Sequence, residues 1–199
     1  MKISEYPIEM AEETPFSTSV FRAVLNNPHI NLIERINEVK EQDPKGRVVS
    51  NSGGWQSIMY TSGNHVCWMD GLLSELGGLI NPIYKAYGID TPPKVSNYWF
   101  NINKRYDYNL AHNHPRCIFS GIFYLKVPKN SGKLTFKRPD LFCAYVSPDR
   151  LTDRNMATFN YSPVDKMFLL FPWYLEHYVG QNLCEDEDSD RISIAINFE

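Results

Sequence analysis

The stretch RYDYNLAHNHPRCIFSGIFYLKV, residues 105–127, decides the fold, because it sets His112 and His114 two positions apart directly before an apolar run. On an extended chain, side chains two positions apart point to the same face. A metal ion needs ligands that converge from one side, so this spacing predicts two imidazoles on one strand aimed at one cation. A third, His177, closes the distant run LLFPWYLEH, residues 169–177. In a jelly roll, distant strands face one another, so His177 is placed to complete a facial triangle of ligands. The chain has only five histidines. Of the other two, His29 sits at an expected helix start and His65 beside turn residues, and both are read as non-ligands. An H-x-H pair alone also fits surface or hydrogen-bonded histidines, so the reading depends on its neighbours.

Working outward, the texture from Lys94 onward is that of strands. VSNYWFNINKR (95–105), CIFSGIFYLKV (117–127), GKLTFK (132–137), LFCAYV (141–146), ATFNY (157–161), KMFLLF (166–171) and RISIAINF (191–198) are rich in β-branched and aromatic residues and separated by Pro, Gly, Asn and Asp. Such a succession predicts a sandwich or jelly roll rather than a β-α-β sheet. SPDRLTDRN, Ser147–Asn155, reads as a mobile flap. Upstream lie two helical patterns. Asn27-Pro28 offers a cap and a first-turn proline, followed by Leu32, Ile33, Ile36 and Val39 up to the breaker Asp43-Pro44. A second helix is expected over Asp70–Tyr87, closed by Gly88 and with Pro82 as a potential kink. The expectation is a mainly β fold with flanking helices. Residues 1–199 form a single domain, with 1–93 a strand and helical support region and 94–199 the jelly-roll core.

Bulk properties narrow the function. The 43% hydrophobic and 22% charged composition is that of an ordinary globular chain of 199 residues. A net charge of −3 argues against a nucleic-acid partner. No run reaches the ~20 apolar residues of a membrane helix, so no membrane partner is expected. The N-terminal MKISEYPIEMAEE lacks the apolar core of a signal peptide. Cys67, Cys117, Cys143 and Cys184 are scattered, which fits reduced thiols in a cytoplasmic protein.

Arg191 follows His177 by 14 residues and opens the closing strand as Arg-Ile-Ser, so Arg191 and Ser193 share a face. An inward arginine is costly unless it meets an anion. A guanidinium fork beside a hydroxyl suits a carboxylate. The alternative is that Arg191 pairs with an acidic residue of CEDEDSD, residues 184–190.

Together, H-x-H, a distal His and R-x-S resemble the 2-oxoglutarate/Fe(II)-dependent oxygenase superfamily, and most closely a bacterial and phage subfamily of such oxygenases. GGWQS (53–57), NYWFNI (97–102), HNHP (112–115), SGIFYL (120–125), LLFPWYLEH (169–177) and RISIAINF (191–198) carry the likeness. The resemblance implies a double-stranded β-helix, or cupin-like jelly roll, with N-terminal helices packed outside. It implies Fe(II) on His112, His114 and His177, and 2-oxoglutarate held by Arg191 and Ser193. With O2 as the oxidant, it implies hydroxylation of a small-molecule or protein substrate, with oxidative decarboxylation of 2-oxoglutarate to succinate; a homodimer is compatible with it. Asn101 and Asn103, 11 and 9 residues before His112, are similar to the Asn-x-Tyr strand of AlkB-like relatives that contacts the cosubstrate, with Asn103 in the Tyr place. Tyr124 is either a substitute hydroxyl for the cosubstrate or a core aromatic, and Trp99, Phe123, Phe171 and Trp173 are candidate pocket walls.

The chain departs from the superfamily in one respect: His114 stands where Asp or Glu is usual. Asp107 could bend in as a carboxylate ligand instead, or His114 could sit beside the ligands without touching the metal. Three neutral imidazoles leave the cation its full charge, which favours the dianionic cosubstrate. Two rival readings remain. A cupin shares H-x-H and a proline five residues before the distal His (Pro172), but lacks its glutamate in PRCIFSG and has Tyr174 at its glycine place. A non-catalytic jelly roll, such as a phage structural protein, would keep only a vestigial site.

Overall fold

Strand β11 (Arg191–Phe198) shows how this chain builds its sheets. Ile192, Ile194, Ile196 and Phe198 point to one face and join a core shared with the helices, while Arg191, Ser193 and Ala195 line a cleft on the other. The two-residue period of a strand enforces this split. In the computed structural model, which describes residues 14–26, 29, 31–141 and 148–199, two antiparallel sheets stack around that cleft.

Eleven strands are present among the described residues. They comprise β1 (Phe21–Val24), β2 (Asn51–Ser52), β3 (Trp55–Gln56), β4 (Val95–Asn103), β5 (Tyr108–His112), β6 (Phe119–Lys126), β7 (Leu134–Lys137), β8 (Thr158–Tyr161), β9 (Met167–Pro172), β10 (His177–Val179) and β11. The larger sheet runs β1-β9-β6-β11-β4-β3 and the smaller β2-β5-β10-β7-β8. This is the expected jelly roll. Leu134, Phe136, Met167, Leu169, Phe171 and Val179 fill its interior.

Helices α1 (Leu32–Gln42) and α2 (Asp70–Ala86) cover the outer face of the larger sheet. Leu72, Leu76, Ile80 and Tyr84 recur every four residues along α2 and are buried, the stripe an amphipathic helix needs. Gly88, at φ +72°, ends it, as the sequence predicts. Helix α1 starts at Leu32, later than expected; Asn31 precedes it in the left-handed region at φ 68°. Asn27 and Pro28, the expected start, lie outside the described residues.

The strands expected at His112 and His177 are β5 and β10, which carry little apolar patterning; β1, β2 and β3, of four residues or fewer, escape sequence reading. The expected strand at 141–146 lies outside the described residues except for Leu141, which sits in a bend. Of the expected flap, Ser147 is likewise outside. Residues 148–155 carry no strand or helix, Arg138 donates to the Arg154 carbonyl at 2.8 Å, and none of them lines the cleft.

Candidate metal centre

β5 ends at His112 and β10 begins at His177, and the two residues are direct cross-strand partners. Their ring centroids are 4.5 Å apart. His114 does not share the strand with His112, as the sequence reading expected. The strand stops at His112, and His114 reaches the same centre from the following loop, where its N–H donates to the Trp173 carbonyl at 3.1 Å. Its ring stacks between Trp99, at 5.4 Å and 15°, and His177, at 5.1 Å and 4°.

One candidate ligand atom from each imidazole lies within 4.8 Å of the others, the only such group of three ligating side chains among the described residues. The Nδ1 atoms of His112 and His177 lie 2.7 and 3.0 Å from the carbonyls of Leu110 and Leu175. A carbonyl only accepts, so each Nδ1 carries its proton and each Nε2 presents a lone pair. Burial pushes all three imidazoles below their ordinary range. Burial and the neighbouring rings take His114 down to about 3, and burial with His112 takes His177 to about 4. The cluster is therefore neutral at pH 7, the form that binds a cation.

Asp107 is not part of this centre. Its carboxylate accepts from the Lys104 N–H at 2.7 Å and packs against Gly53, closing the turn after β4.

The far end of the same cleft is lined by Asn101, Asn103, Tyr124, Arg191 and Ser193, all predicted from sequence, and by Asn109, which was not. Arg191 is 1% exposed. Its Nη1 donates to the carbonyls of Ser131 and Gly180, while Nη2 has no partner among the described residues. The acidic run does not neutralise it: Glu185 pairs with Arg105 and Asp188 with Lys126. The Tyr124 hydroxyl is also fully buried without a partner among the described residues, and burial pushes its pKa to about 12. A buried guanidinium with a free donor beside a buried free hydroxyl is costly unless an anion completes it. This cradle fits a carboxylate, and three neutral imidazoles with converging ligand atoms fit a metal.

Sequence reading missed how Arg191 is held. A Cβ on Gly132, which has φ +88°, would lie 2.1 Å from the Gly180 carbonyl oxygen and 2.9 Å from Arg191 Nη1. Only glycine permits that approach, and nothing in the local run NSGK marks it as more than a turn. Of the expected aromatic walls, Trp99 and Phe171 line the cleft, whereas Phe123 belongs to the outer core and Trp173 is 40% exposed.

Comparison with known proteins gives the family and the fold. Residues 97–197, just over half the chain, match the family described as "Putative 2OG-Fe(II) oxygenase". A prolyl-4-hydroxylase from Pseudomonas putida superposes with TM-score 0.62 at 13% identity, covering 92% of this chain and 93% of that one. A viral collagen prolyl hydroxylase from Paramecium Bursaria Chlorella virus-1 gives 0.56 at 14% identity, covering 90% and 94%. The carbocyclase SnoK of nogalamycin biosynthesis gives 0.64 at 10% identity, covering 91% and 79%. At such identities the likeness establishes the fold alone. No curated protein matches in sequence. On the family match, which displaces the cupin and structural-protein readings, the chain belongs to the 2-oxoglutarate- and Fe(II)-dependent oxygenases.

Proposed function

We propose that His112, His114 and His177 hold the Fe(II), that Arg191 and Ser193 hold the distal carboxylate of 2-oxoglutarate, and that the enzyme hydroxylates a C–H bond of its substrate. The observation that carries this reading is the pair of buried, unpartnered donors, Arg191 Nη2 and the Tyr124 hydroxyl, in the same cleft as the three imidazoles. When bound, iron and cosubstrate supply the oxidation: dioxygen and 2-oxoglutarate become succinate and carbon dioxide, and one oxygen atom enters the substrate.

The chain's own residues do the rest. Arg191 gives the carboxylate a full positive charge inside the barrel, where a charge-assisted hydrogen bond is strong. Tyr124 adds a neutral donor, and Asn101 and Asn103 line the cosubstrate's flank. The backbone carbonyls of Leu110 and Leu175 fix the tautomers of His112 and His177, and Trp99 and Phe171 keep water from the metal side. His114 stands in the usual carboxylate place, so the protein contributes no negative charge to the cation, which strengthens its demand for the dianion.

The substrate is a small molecule or a protein; the similar structures include prolyl hydroxylases and a carbocyclase of nogalamycin biosynthesis. No helix is long and apolar enough to cross a membrane among the described residues. Cys67, Cys117 and Cys184 are free thiols, which suits a cytoplasmic location. All of these site residues come from one chain, so the reading requires no homodimer, and residues 1–199 act as one domain.

Anaerobic titration with Fe(II) and then 2-oxoglutarate tests this. A weak visible charge-transfer band is expected, and it should vanish in His112→Ala and His177→Ala. A band that survives both substitutions overturns the ligand assignment.

A further inference from the structure

Beyond the metal, the inner wall of the barrel carries a row of side chains that the cosubstrate does not use. The inward positions of β11 are Arg191, Ser193, Ala195 and Asn197; across from them on β4 stand Asn103, Asn101, Trp99 and Asn97. On β6, Tyr124 pairs with Ser193, Ile122 with Ala195 and Ser120 with Asn197. The wall therefore has levels. Arg191 and Ser193 mark the carboxylate end. Trp99, stacked on His114, marks the level of the metal. Asn97, Asn197 and Ser120 come next, one two-residue step or about 7 Å further out. Along β4, Asn101 and Asn103 are buried while Trp99 and Asn97 are partly exposed, so the row opens towards the mouth at Asn97, with Asn197 and Ser120 buried behind it.

We propose that this row is the substrate-recognition site, and that the substrate presents an uncharged amide, either a peptide group or a carboxamide. The inference rests on the oxygenase reading for its orientation relative to the metal. Ser120 Oγ donates to Asn197 Oδ1 at 2.7 Å, Asn197 Nδ2 donates to Asn97 Oδ1 at 2.9 Å, and Asn97 Nδ2 donates to Ser96 Oγ at 3.0 Å. This chain fixes both carboxamides in one orientation. Each Nδ2 has two hydrogens and each of these bonds uses one, so each amide keeps an N–H to offer, and Asn97 Oδ1 keeps a lone pair. One donor beside one acceptor complements an amide. The row has no charge, so an ammonium or carboxylate placed there would lose its hydration without a counter-ion. Arg191, the one cation on the inward positions of β4 and β11, belongs to the cosubstrate. Asparagine is depleted in strands, yet here two face each other across neighbouring strands at the rim of the site.

The test uses the full chain loaded with Mn(II) and 2-oxoglutarate, with probe binding read as paramagnetic broadening of the probe's NMR signals. The probes are N-acetyl amino-acid N-methylamides, small primary carboxamides, and the matching carboxylates and amines. Amide probes should broaden and charged ones should not. Binding confined to the capped amino acids identifies a peptide source, and binding confined to primary carboxamides a small-molecule source. Asn197→Leu and Asn97→Ala should weaken amide binding at least tenfold while 2-oxoglutarate binding stays within twofold. Asn97→Ala, at the partly exposed end of the row, keeps the test decisive should Asn197→Leu unfold. Charged probes that bind as well as amides, or variants that bind amides within twofold of the parent, overturn the proposal. Failure of the parent to bind 2-oxoglutarate overturns the oxygenase site instead. Amide binding is then scored on the metal-free chain by saturation transfer, where equal binding by parent and variants overturns the row.

Discussion

Replacing Arg191 by methionine separates the cost of holding a buried charge from its use. In the protein alone, the guanidinium is 1% exposed and meets two carbonyls but no carboxylate. Methionine fills similar volume and removes a desolvation penalty of several kcal/mol, while it strips the Ser131 and Gly180 carbonyls of a donor, at about 1–3 kcal/mol each. These effects oppose one another, so the stability of the metal-free, cosubstrate-free chain should move by no more than about 2 kcal/mol. Cosubstrate binding has no such compensation. Removing one partner of a buried ion pair costs about 3–5 kcal/mol, or roughly two to three and a half decades of affinity. Thermal unfolding with and without 2-oxoglutarate reads both quantities. At a hundred times the parent's Kd, the cosubstrate should stabilise the parent by about 2.7 kcal/mol and the variant by about 0.4 kcal/mol or less. A folded, metal-binding Arg191→Met chain whose 2-oxoglutarate affinity stays within threefold of the parent would refute the anchor.

Tyr124→Phe removes a buried hydroxyl that has no partner among the described residues; stability in urea should hold or rise by up to about 1–3 kcal/mol, while calorimetry should show several-fold weaker 2-oxoglutarate binding. His114→Asp restores the usual carboxylate but empties the stack between Trp99 and His177; equilibrium dialysis should show Fe(II) retained and 2-oxoglutarate bound less tightly, because the added negative charge opposes the dianion. The depressed imidazoles make the metal-free chain acid-sensitive. His114 and His177 take up protons near pH 3 and 4 when folded but near 6.5 when unfolded, so the unfolded state binds more protons between those values. Stability is full above about pH 6.5 and falls as the pH drops, by at most about 1.4 kcal/mol per pH unit for each group. Urea midpoints measured from pH 7 to pH 5 should decline, and a flat profile contradicts the shifts.

The sequence by itself determined the apolar and aromatic runs that become β4, β6, β9 and β11, the buried stripe of α2 and the face shared by Arg191 and Ser193, because these depend on composition and spacing along one element. It also named every histidine of the centre. It placed His112 and His177 on strands from the metal-ligand spacing alone, because β5 and β10 carry little apolar patterning and their stability comes from partners far along the chain. Tertiary structure decided what spacing cannot. His114 joins the centre from a loop, held by the Trp173 carbonyl and a stack of rings, rather than through strand periodicity. Arg191 escapes the acidic run because Gly132 and Gly180 bring two carbonyls to it across the barrel, leaving one donor free. The row of Asn97, Asn197 and Ser120 exists only where three strands lie side by side. Residue type and spacing select the chemistry of the centre, but the direction of a donor is set by what packs against it, and that is fixed only when distant strands meet.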